Sequence, residues 1–397
     1  MNSTGDGREL NLLVEDPHQR VGRRGFLRVA ALLGAAGAAG GITGGVAGYL
    51  AGQANREDDR QDRAAAGAAG PRRREQTLNI YNWSDYIDET TIPRFQALAN
   101  IRVNYDVYSS NEDLLAKMRA GPTQYDIIVP TNQFIPTYRR LGLLQPLRQD
   151  LIPNLVNLDK AFVETDYDPG NKYTIPWQWG TTGLGYNTKR VPGGTVDSWT
   201  ALYEPNPSLG GRISILREVT DLIGCTLIYL GKNPNSTRDA DLQQVVGTFK
   251  DLRRRVKDLK FSSDTYIDQL ATGELWLAHG WSGDVFQAQG DNADISYVIP
   301  KEGSLQWADV MCVPKDAPHP ENAARFMNYV LHPKTAARIS NYVSYGTPVP
   351  LAKSLLPSEQ LDDPGIYPPS SIKLSFLTLN EERIKKLQGV YNTIVGG

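Results

Sequence analysis

The chain has 397 residues, 40% apolar and 22% charged, with a formal charge of -2, which is ordinary globular composition and enough length for two domains. Beyond residue 76 the balance is 31 basic against 35 acidic side chains, the wrong sign for a nucleic-acid partner. Two cysteines, Cys225 and Cys312, exclude a disulfide framework and a thiolate zinc cluster; four histidines lack paired ligand spacing, and no G-x-x-x-x-G-K-[ST] loop occurs, so neither metal nor cofactor is expected.

In chain order, the first segment, residues 1–54, carries Arg23-Arg24-Gly25-Phe26-Leu27-Arg28 followed by an uncharged Ala/Gly/Leu-rich stretch from Val29. A basic n-region before a weakly apolar h-region is a twin-arginine export signal, with a permanent single-span anchor as the alternative. Residues 55–76 mix Arg, Asp, Ala and Gly without periodicity and read as a linker. Export places the protein in the periplasm or otherwise outside the cytoplasm.

From Thr77, apolar runs alternate with helical patterns. Leu78–Tyr81, Val103–Val107 and Asp126–Val129 read as strands, and Glu89–Leu98 and Glu112–Ala120 as helices. This βαβαβ order predicts an α/β fold with a mainly parallel sheet, whose ligands bind beyond the carboxyl ends of the strands. Trp83, Asp85 and Tyr86 follow the first strand and Thr131, Asn132 and Gln133 the third, so both groups should face one cleft. A second α/β unit begins near Gly183-Leu184-Gly185-Tyr186-Asn187, and Val298–Pro300 and Val310–Val313 read as strands passing back to the first unit. The expectation is a hinged clam, with one lobe from residues 77–182 and 303–350 and the other from 183–302 and 351–397.

Four segments share one chemistry. Tyr81-Asn82-Trp83-Ser84-Asp85-Tyr86, Arg217-Glu218-Val219-Thr220-Asp221, Gly280-Trp281-Ser282-Gly283-Asp284 and Trp307-Ala308-Asp309 each bring acids to a turn, three of them beside an indole. An alkyl ammonium needs carboxylate acceptors for its N–H groups and an electron-rich wall for its methylenes, and Trp and Tyr faces add a cation–π term of roughly 0.5–2 kcal/mol each. The plainer reading is that Asp221 caps or opens the following helix. Trp177, Trp179 and Trp199 read as packing residues, and Arg253-Arg254-Arg255 as a solvated helix face.

In these residues, and in Tyr125-Asp126-Ile127-Ile128-Val129-Pro130, Ile175-Pro176-Trp177-Gln178-Trp179-Gly180, Pro300-Lys301-Glu302-Gly303 and Tyr345-Gly346-Thr347-Pro348, the chain resembles the spermidine/putrescine-binding proteins of ATP-binding-cassette importers from about Leu78 to Leu356. The resemblance implies a two-lobed type II periplasmic-binding-protein fold with hinge strands, acting as a monomer with transporter permease subunits as partners. It implies that Trp83, Ser84, Asp85 and Tyr86 hold one amino end, with Thr131 beside them. Glu218 and Asp221 match the family's acidic pair in exchanged order. Trp281 and Trp307 would sandwich the methylenes, Asp309 would take the other ammonium, and Tyr345 would face the ligand. Gln133 stands where an aromatic residue is often found.

Three rivals follow from the same residues. The ligand could be another small one such as an opine or a choline-like quaternary ammonium; the last would favour an aromatic cage with one acid, whereas this sequence supplies spaced acids. A polyamine sensor without transport would have the same site. An enzyme would start from His279-Gly280-Trp281-Ser282-Gly283-Asp284, which has Asp284 where the G-x-S-x-G turn requires glycine.

Overall fold

Leu78, Ile80 and Asn82 alternate inward along the first strand, β1 (Thr77–Trp83), as a period of two requires. The computed structural model describes residues 77–256 and 258–396; the expected export segment and linker lie outside the described residues. β1 pairs in parallel with β2 (Arg102–Tyr108) and β3 (Ile127–Ile128), and the helices Thr91–Ala99 and Asn111–Arg119 make the crossovers. Thr91, Phe95 and Ala99 bury one face of the first helix, and Phe95 meets Phe326 edge-on at 5.1 Å.

β4 (Thr174–Asn187) is a single strand of 14 residues that runs through the expected boundary between residues 182 and 183. Its first part pairs antiparallel with the later strand Ser304–Cys312, which itself reaches β3. Its second part lies between Leu277–Trp281 and Ile295–Val298, both antiparallel to it. In chain order the remaining strands are β5 (Ile213–Leu216), β6 (Lys260–Ser262), β7 (Leu277–Trp281), β8 (Ile295–Val298), β9 (Ser304–Cys312) and β10 (Leu374–Ser375). The path β2-β1-β3-β9-β4-β7-β5-β6 therefore passes from one half to the other through β4 and β9.

Of the two expected crossing strands, Val310–Val313 falls at the end of β9, which does cross to the first half, whereas Val298–Pro300 does not. Val298 ends β8, which stays in the second half against β4, because the turn at Pro300–Gly303 intervenes before the chain re-enters as β9. Glycines let β4 serve both halves. A Cβ on Gly183 would stand 2.4 Å from the Val298 carbonyl oxygen, and one on Gly180 would meet the Tyr345 and Trp307 rings below 3.0 Å.

The first half is built around Leu78, Ile80, Phe95, Ile127 and Met311, to which Ala352 and Leu356 also pack. In the second half Leu216, Leu270, Val285 and Ile295 share a core. The helix Val219–Tyr229, the helix Asp239–Arg255 and the last helix, Glu381–Gly396, share another cluster through Leu222, Leu252, Leu387 and Ile394. Cys225 and Cys312 are buried and unbridged. Arg253 donates to the Ile394 carbonyl at 2.8 Å, so the arginine run is partly structural. No helix among the described residues is long and apolar enough to cross a membrane.

Candidate functional site

The carboxyl ends of β1, β3, β5 and β7 converge on one cleft. Lining it are Trp83, Ser84, Tyr86, Thr131, Glu218, Asp221, Trp281, Trp307, Asp309 and Tyr345. Asp85 is absent from the lining. It is exposed, and its positive φ of 53° marks a left-handed turn residue between the flanking Ser84 and Tyr86. Asn111, Gln133 and Asp284 line the cleft without having been singled out as site residues, as do Ser109, Ser263, Asp264 and Ile267.

Each inner acid is held by neutral donors. Asp309 accepts the Thr131 hydroxyl at 2.7 Å on Oδ1 and the Tyr86 hydroxyl at 2.9 Å on Oδ2. Asp221 accepts from the Thr182 and Thr220 hydroxyls and from Trp281 Nε1 at 3.2 Å; among the described residues no helix N–H bonds to its side chain, so it opens the helix, as the plainer reading allowed, without capping it. Asp284 accepts the hydroxyls of Tyr266 at 2.9 Å and Tyr345 at 2.8 Å. Glu218, 5% exposed, accepts from Asn111 Nδ2 at 3.4 Å and is hydrogen-bonded to Glu112.

The local sequence explains these positions. Glu218 occupies the N-cap of the helix Val219–Tyr229 and Asp221 lies in its first turn; Asp284 lies in the first turn of the helix Ser282–Asp291. The positive ends of the helix dipoles face these carboxylates, about 0.3–1 kcal/mol each, which moderates their accumulation. Their charge is not otherwise balanced, since no Lys, Arg or His lines the cleft among the described residues.

Burial in such company pushes protons on. Desolvation lifts Asp309 to about 7, opposed by the Thr131 and Tyr86 hydrogen bonds and reinforced by Asp221 and Asp284. Desolvation, then Glu112, then Asp221, holds Glu218 well above the usual carboxylate range. Glu112, in the first turn of the helix Asn111–Arg119 and hydrogen-bonded to Glu218, is pushed up to about 7, again mainly by desolvation. Asp221 is raised by burial despite its three donors.

The aromatic wall is continuous. Trp83 meets Trp281 edge-on at 5.8 Å, Trp281 meets Trp307 at 6.4 Å, and Trp307 meets Tyr345 at 5.2 Å. Trp83 is fixed by its Nε1 bond to the Val129 carbonyl at 3.0 Å, and Trp177 supports the site from behind by donating to the Tyr86 carbonyl at 3.2 Å. Trp199 is fully buried and Trp179 donates to the Thr347 carbonyl beside β4, so both pack as expected. Trp307 Nε1 is buried with no hydrogen-bond partner. The two halves touch across the cleft through Asn111 and Glu218 and through Gln133 Nε2, 3.4 Å from Thr220 Oγ1.

The hydrolase reading finds no geometry. Neither ring nitrogen of His279 has a hydrogen-bond partner, and its ring packs edge-on against Trp199 at 5.3 Å, so it is not joined to Ser282. Burial depresses it to about 3.

An α/β clam whose halves share two long strands and enclose a ligand cleft is a two-lobed periplasmic-binding-protein fold with hinge strands. Residues 90–368 match the family described as bacterial extracellular solute-binding protein, and the chain belongs to it. It is 38% identical over 323 residues to the putrescine-binding periplasmic protein PotF of Escherichia coli K12, covering 77% of this chain and 86% of that one. With SpuD of Pseudomonas aeruginosa, also named as putrescine-binding, identity is 34% over 76% of this chain and 86% of the relative. A solved putative spermidine/putrescine ABC transporter protein from Listeria monocytogenes superposes with a TM-score of 0.76 at 33% identity, covering 81% of this chain and 99% of that one. The relatives named here are called binding or transporter proteins.

Proposed function

We propose that this protein captures a polyamine, spermidine or putrescine, between its lobes outside the cytoplasm and delivers it to an ABC importer. The observation that carries the reading is the cleft's lining: Glu218, Asp221, Asp284 and Asp309 with no basic side chain among the described residues, against walls of Trp83, Trp281 and Trp307. Burying a flexible di- or trication requires counter-charge for each ammonium and apolar surface for the methylenes between them. Closure on the ligand is a population shift, driven by tighter binding to the closed form, that a permease can read.

Within this reading the protein is a monomer without catalytic activity. The motif Arg23-Arg24-Gly25-Phe26-Leu27-Arg28 supports twin-arginine export to the periplasm. The lobes follow the division at 182/183 and 302/303, and the packing of Ala352 and Leu356 on the first-lobe core supports a last crossing after Leu356 rather than after residue 350.

Calorimetric titration of the full-length chain with putrescine, spermidine, choline and an opine tests the reading. Saturable binding of a polyamine, with choline and the opine at least about a hundredfold weaker, is expected, a gap of about 2.7 kcal/mol. Absence of polyamine binding by folded protein contradicts it. Loss of polyamine uptake on deletion separates transport from sensing, and ester hydrolysis abolished by Ser282→Ala would restore the enzyme alternative.

A further inference from the structure

We infer that Asp264 forms an outer ammonium subsite at the cleft, so that the site takes a triamine with a third contact that a diamine cannot make. This rests on the polyamine reading above and specifies the length of its ligand.

The placement follows from register. β5 and β6 run parallel with Leu216 opposite Ser262, and the ladder continues when Arg217 N–H donates to the Ser262 carbonyl at 2.9 Å. Glu218 and Asp264 each stand two residues beyond these partners, on the turns that leave neighbouring parallel strands. Adjacent strands lie about 4.8 Å apart, so the two acids are presented side by side at one end of the second-lobe sheet. Both line the cleft; Glu218 is buried, whereas Asp264 is half-buried.

The other cleft acids divide from Asp264 by their occupancy. Asp221, Asp284 and Asp309 each accept two or more side-chain donors from the protein, and Glu218 bonds to Asn111 and Glu112. Asp264 has no side-chain partner among the described residues. An ionised carboxylate offers about four acceptor sites, which on Asp264 remain open towards ligand and water.

A local structural role does not account for Asp264. The helix Tyr266–Ala271 begins two residues later, and its first N–H is taken by Ser262 Oγ at 3.0 Å, which also lies 2.7 Å from Thr265 Oγ1. The capping work at this turn is thus done by Ser262. Beside Asp264, Ile267 is 6% exposed and also lines the cleft, giving a short apolar surface for the methylenes that lead to the outer amine.

The test compares wild type, Asp264→Asn and Asp264→Glu as full-length chains by calorimetry with putrescine, spermidine and spermidine N-acetylated at one end, at 0.15 and 0.5 M NaCl. The high-salt arm separates a contact from long-range attraction, which a Debye length of about 3–8 Å in this range suppresses. Expected is a roughly tenfold loss of spermidine affinity in Asp264→Asn at both salt concentrations, partial recovery in Asp264→Glu, and putrescine affinity changed less than about threefold. Equal losses for putrescine and spermidine, loss only at low salt, or no loss overturns the subsite and leaves polyamine capture standing. Failure of wild type to bind either amine overturns both.

Discussion

Tyr345 places its hydroxyl 2.8 Å from Asp284 Oδ1 and accepts the Asp284 backbone N–H at 3.3 Å. The tyrosine belongs to the core of the first lobe, and the aspartate to a helix that packs in the second. The pair is therefore a strut across the cleft, and it needs Gly283. A Cβ there would stand 2.4 Å from the Tyr345 ring.

Tyr345→Phe should fold normally and bind polyamine about tenfold more weakly, since a hydrogen bond to a charged group contributes about 1.5–3 kcal/mol net. Gly283→Val should cost more by preventing the ring from seating. Calorimetry with a parallel melting curve checks both; unchanged affinity in Gly283→Val would exclude the strut.

Ligand binding should release protons near neutral pH. Asp309 and Glu112 are pushed up to about 7 and Glu218 is held well above its usual range, so the ligand-free cleft carries protons that arriving ammonium groups displace. Affinity should rise with pH through 7. Titrations in two buffers of different ionisation enthalpy measure the proton count, and a count of zero at pH 6.5 would contradict these protonation states.

The same shifts set the stability of the ligand-free chain. A carboxyl whose pKa is higher folded than unfolded binds more protons when folded, so its contribution is fully present below the unfolded value and is lost as pH rises through about 4 to 7. His279, depressed to about 3, acts oppositely and adds stability as pH rises from about 3 to 6.5. Ligand-free protein should therefore melt lower at pH 8 than at pH 6.5, and saturating spermidine should reverse that order. Melting curves at both pH values, with and without ligand, check it.

His279→Leu should be neutral or stabilising by about 1 kcal/mol, because a buried imidazole with both nitrogens unpaired gives up only its desolvation penalty. Polyamine affinity should not change. Thermal denaturation and calorimetry on this variant decide it.

The sequence carried much of this site because strand-end chemistry is local. Trp83 and Tyr86 follow β1, Glu218 and Asp221 open a helix after β5, and the parallel topology makes those ends converge. Asp85 stands outside the cleft's lining, and the left-handed turn that exposes it leaves no mark in residue type, aspartate being common both on ligands and in turns. Asp284 was visible three residues after Trp281, but its partners Tyr266 and Tyr345 are 18 and 61 residues away, and no spacing rule joins them. Asn111 stands just before the expected helix Glu112–Ala120 with nothing in its residue type to mark it, and its place between Thr131 and Glu218 exists only once the lobes meet. The glycines of β4 mark close approach to Tyr297 and Val285 within a strand that runs through the expected boundary at 182/183.

The most direct test is spermidine and putrescine titration of wild type beside Asp309→Asn. Asp309 is the cleft's central buried acid, held by Tyr86 and Thr131. Removing one member of a buried charge pair costs about 2–5 kcal/mol, so the account predicts tight, saturable binding by wild type and a loss of at least about thirtyfold in the variant. Wild-type affinity retained in Asp309→Asn, or no polyamine binding by folded wild type, would contradict it.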